Sequence, residues 1–153
     1  MVRQAIVAAC LIVLALPAPV AIPLGWAQNS LAEQDEIRTL MRQTWERPGA
    51  PLSVDPVVVL EGYSIAGWVQ DDRGGRALLR KKQETWEVVL CSGDHLRSPE
   101  TITAVGASED LARRLVQALL AAEGGLPPDR LVKLSSFEGI VRMDAAGPTH
   151  GHR

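Results

Sequence analysis

Aromatic and sulfur-bearing residues are scarce in this chain. Its 153 residues include one tyrosine, one phenylalanine, four tryptophans and two cysteines. Two cysteines cannot build a disulfide scaffold or an iron–sulfur site. An excess of one charge is also missing: sixteen basic side chains stand against eighteen acidic ones, for a formal charge of -2. Recognition of a nucleic-acid backbone needs several uncompensated cations, so the balance argues against that class of partner. No internal repeat is evident. What is present is 46% hydrophobic sequence of a length that suits one domain with a single modest core.

The N-terminus reads as an export signal. Arg3 supplies a basic start, Ile6 to Leu16 form an apolar run, and Pro17, Pro19 and Pro23 follow. Gly25 and Ala27 are small residues that bracket Trp26, which predicts cleavage after Ala27 and a released chain starting at Gln28. The alternative is an uncleaved membrane anchor, since residues 5–24 come close to the roughly 20 apolar residues that a bilayer span takes. Too little apolar sequence precedes Cys10 for it to carry a lipid. Residues 1–27 are therefore expected to be removed, residues 28–144 to form the domain, and residues 145–153 to be a flexible tail. Cys91 would then be the one remaining cysteine, and no intramolecular disulfide could form.

Within the domain, Ser30 followed by Glu33 is a capping-box pattern. Leu31, Ile37, Leu40, Met41 and Trp45 recur at helical spacing until Pro48-Gly49, which predicts a helix over 31–46. Val57–Leu60, Tyr63–Gln70, Arg76–Lys81 and Trp86–Cys91 read as strands divided by turn signals at Gly62, Asp71–Gly75 and Gln83–Thr85. Such short connections favour an antiparallel meander, because parallel pairing needs long crossovers. Ser98-Pro99-Glu100 predicts a short helix. Ser108 caps the next, over 109–123, whose stripe is Leu111, Leu115, Val116, Leu119 and Leu120. Pro128–Leu134 reads as a further short helix and Ile140–Met143 as a short strand. The expected fold is a single small α+β domain, with helices on one face of an antiparallel sheet of about four strands.

Few groups in the released chain could hold a soft metal: Cys91, His95, His150, His152, Met41 and Met143. Cys91 ends a strand and His95 follows beyond Gly93, so a turn could aim thiolate and imidazole at one ion. Those donors, with thioether, are what copper(I) selects. Met143 and the tail pair His150 and His152 could complete the set. The plainer reading makes Cys91 a core residue after Val88-Val89-Leu90, His95 a loop residue and Met41 part of a helix stripe. Catalysis has less support. Cys91 and His95 lack a third group to orient a base, Gly74-Gly75 sits in a hairpin turn, and Asp71, Asp72 and Asp94 are turn residues. Trp45, Trp68 and Trp86 come from three elements and could converge, either as core or around a ligand pocket. No enzymatic activity is expected.

Several stretches taken together carry a resemblance. They are Asp55-Pro56-Val57-Val58-Val59, Ala66-Gly67-Trp68-Val69-Gln70, Gly74-Gly75-Arg76-Ala77-Leu78-Leu79-Arg80, Trp86–Asp94 and Phe137-Glu138-Gly139-Ile140-Val141-Arg142-Met143. Over residues 31–144 the chain resembles the copper uptake system-associated proteins, small exported bacterial proteins. The resemblance implies a periplasmic accessory of copper uptake or homeostasis. Side-chain chemistry, rather than the resemblance, supplies the candidate copper(I) ligands Cys91, His95, Met143, His150 and His152, from which the ion would pass to a copper-transport or copper-chaperone partner. The alternative is a protein-interaction adaptor of a copper-uptake assembly with no metal site of its own. Neither version involves nucleic acid, and neither keeps a stable membrane insertion after cleavage.

Overall fold

The computed structural model describes residues 24–143. The expected export segment therefore lies outside the described residues except for its last four, which form the first turn of helix α1 (Leu24–Trp45). The tail expected over 145–153 lies outside them entirely. Among the described residues, no helix is long and apolar enough to cross a membrane.

Four strands follow α1 in a meander: β1 (Ser53–Leu60), β2 (Tyr63–Gln70), β3 (Arg73–Lys82) and β4 (Thr85–Ser92). A 3-10 helix (Asp94–Arg97), α2 (Pro99–Thr103), α3 (Glu109–Glu123) and α4 (Pro128–Leu134) come next, and β5 (Ile140–Arg142) completes the sheet. All pairings are antiparallel, in the order β1-β2-β3-β4-β5. This is the α+β domain expected from the sequence, with the three-residue β5 as a fifth strand.

Helices cover both faces of the sheet. Side chains alternate along a strand, and here both sets are buried. Ile65, Leu78 and Leu90 face α2 and α3, where they meet Ile102, Leu111, Leu115 and Leu119. Ala66, Ala77, Leu79 and Cys91 face α1 and meet Ile37 and Met41. The uninterrupted Ala77-Leu78-Leu79 is the mark of a strand buried on both sides. A bulge in β4 shapes the second layer. Leu78 pairs with Leu90 but Leu79 pairs with Val88, so Val89 is an extra residue and the facing of the strand reverses there. Trp86 and Cys91, five residues apart, consequently share the α1 face.

Local signals place the helices. Ser108 accepts a hydrogen bond from the Leu111 backbone N–H at 3.2 Å, and Glu109 and Asp110 occupy the positive end of α3. The layers are locked by a buried ion pair. Arg76 on β3, 1% exposed, donates from Nε to Glu123 of α3 at 2.6 Å. Its Nη1 donates to the Leu134 carbonyl at 3.1 Å and to Asp94 at 3.3 Å. One guanidinium thereby ties β3 to α3, the end of α4 and the 3-10 helix.

Candidate aromatic cleft

The α1 layer does not close completely. Where α1 ends, a cleft of about 180 Å³ opens between the helix, the sheet and the segment leading into β5. Met41 and Trp45 form its α1 wall, and Leu52 comes from the chain just after the helix. Trp68 and Gln70 come from β2, Cys91 from β4, and Phe137 and Met143 flank β5. Trp45, Trp68 and Phe137 are each half-buried.

Two glycines bring Phe137 down onto the sheet. A Cβ on Gly75 would lie 2.9 Å from Phe137 Cβ and 3.1 Å from Trp68 Cζ2. A Cβ on Gly93 would lie 2.5 Å from the Phe137 carbonyl oxygen. With no side chain at either place, the Phe137 ring meets Trp68 edge to face, centroids 5.9 Å apart and planes at 79°. The opposite wall is braced by Gln70, whose Nε2 donates to the carbonyls of Trp45 at 3.0 Å and Ala50 at 2.9 Å. Both partners are acceptors, so the amide nitrogen must face them. The mouth is charged. Arg47, Asp71, Asp72 and Arg73 border it on one side, and Glu138 joins Asp72 and Arg73 on the other. Arg47 pairs with Asp71 at 3.3 Å.

The expected copper ligands are not brought together. Cys91 is buried, 5% exposed, in the layer under α1. His95 is exposed on the 3-10 helix, whose Leu96 belongs to the layer on the opposite side of the sheet. The bulge at Val89 turns Cys91 toward α1, and Gly93 then carries the chain toward the α3 side. Burial also pushes the Cys91 thiol up to about 12, whereas a metal takes the thiolate. Met143 does line the cleft with Cys91, but His150 and His152 lie outside the described residues. Among the described residues, no group of three or more His, Cys, Asp or Glu is arranged to hold a metal ion. This overturns the expectation of bound copper.

The other candidates separate as well. Asp94 receives hydrogen bonds from Arg76 and Ser135, which tie neighbouring elements together, while Asp71 occupies a turn at φ 56°. Of the three tryptophans considered together, Trp45 and Trp68 line the cleft and Trp86 belongs to the core. Sequence reasoning missed Leu52, Gln70 and Phe137. The available signal was Phe137 itself, the chain's sole phenylalanine, standing in the polar run Ser135-Ser136-Phe137-Glu138-Gly139. Compared with protein-family models, curated proteins and solved structures, the chain matches none.

Proposed function

We propose that this chain is a protein-interaction adaptor that docks a partner in the aromatic cleft beside α1. The observation that carries this reading is the cleft's construction. Three half-buried aromatic rings from separate elements converge around an apolar floor, whereas Trp86 in the same layer is buried in the core. Aromatic side chains that become fully desolvated on binding are among the few that dominate the binding energy of protein interfaces. Size argues for a side chain over a cofactor. Ligand pockets usually enclose about 300–1,000 Å³, whereas a cavity of about 150 Å³ already admits a benzene ring. The partner class follows from the sequence resemblance: a transport or chaperone protein of copper uptake, met in the periplasm after export. In this reading the adaptor contributes contacts and no metal site.

Site-specific photocross-linking tests it. A photoreactive phenylalanine in place of Arg47 at the mouth is expected to give an adduct of one defined mass in the producing cell. Tryptic peptides of the adduct should identify a copper-transport component. The adduct should disappear in folded Phe137→Ala protein and be absent when the probe replaces Arg113 on α3. Equal adducts from both positions, or none from either, would remove the reading.

A further inference from the structure

We draw no further inference here: the strongest candidate, the outer edge of β4 over residues 85–88, which β5 leaves without a strand partner among the described residues, carries nothing because the structure does not show what covers it.

Discussion

Phe137 stands edge-on to Trp68, ring centroids 5.9 Å apart, because Gly75 leaves nothing between the β5 approach and the sheet. The contact joins residues 69 positions apart and forms one wall of the cleft. Phe137→Ala should cost about 2 kcal/mol in urea unfolding. That is below the roughly 3–5 kcal/mol of a fully buried phenylalanine, because this ring is half-buried. An unchanged midpoint would mean that the ring does not pack as described.

Gly93 tests the same wall from the backbone. A methyl there would meet the Phe137 carbonyl at 2.5 Å and the Ser135 carbonyl at 3.1 Å. Gly93→Ala should therefore displace residues 135–137 and cost about 1–3 kcal/mol. Gly106→Ala is not a suitable control, since Gly106 has φ 99°. Gly125→Ala is suitable, with its nearest neighbour at 3.9 Å, and should stay within about 0.5 kcal/mol. Equal effects of the two substitutions would contradict the close approach.

The Arg76–Glu123 pair should behave as a buried ion pair. Each carboxylate oxygen faces a guanidinium, Oε1 from Arg76 at 2.6 Å and Oε2 from Arg97 at 3.5 Å. Glu123→Ala leaves the buried Arg76 charge with only the more distant, exposed Asp94 carboxylate at 3.3 Å and should cost about 3 kcal/mol. The double variant Arg76→Met, Glu123→Leu should recover much of that loss. Additive losses in equilibrium unfolding would show that the two side chains act independently.

Much of this architecture was legible in the sequence. The capped stripe of α3, the Pro-started α4 and the four-strand meander were readable because turn residues and apolar periods coincide there. The helix stripes alone do not say which side of the sheet they cover, so the one-sided layer expected from them gives way to two-sided burial, of which the run Ala77-Leu78-Leu79 is the one local sign. Cys91 and His95 misled for a local reason. Their four-residue spacing suggested one turn, but the bulge at Val89 decides where Cys91 points, and a bulge leaves no fixed sequence mark. The cleft was hidden because its walls come from residues between 41 and 143, brought together only by the folded sheet.

Cys91 predicts an alkaline weakness. A thiol ordinarily ionises near 9, and burial raises this one to about 12. Below pH 9 the folded and unfolded chains both keep the proton. Between pH 9 and 12 the unfolded chain releases it and the folded chain does not, so stability falls as pH rises. At pH 10 the loss should be about 1 kcal/mol relative to pH 8, and Cys91→Ala should lack that increment. The same buried thiol predicts that folded Cys91→Ser titrates copper(I) as the parent chain does, in anaerobic competition against a chelator. A Cys91-dependent affinity would contradict the placement of Cys91.

The most direct measurement is an indole N–H titration by NMR of the nitrogen-15-labelled chain with the partner recovered by cross-linking at position 47, the indole signals being assigned by single Trp→Phe variants. Trp45 and Trp68 line the cleft and Trp86 lies in the core under α1. The Trp45 and Trp68 signals should shift saturably with one shared affinity while the Trp86 signal stays in place. Static Trp45 and Trp68 signals, or a shift confined to Trp86, would contradict docking in the cleft.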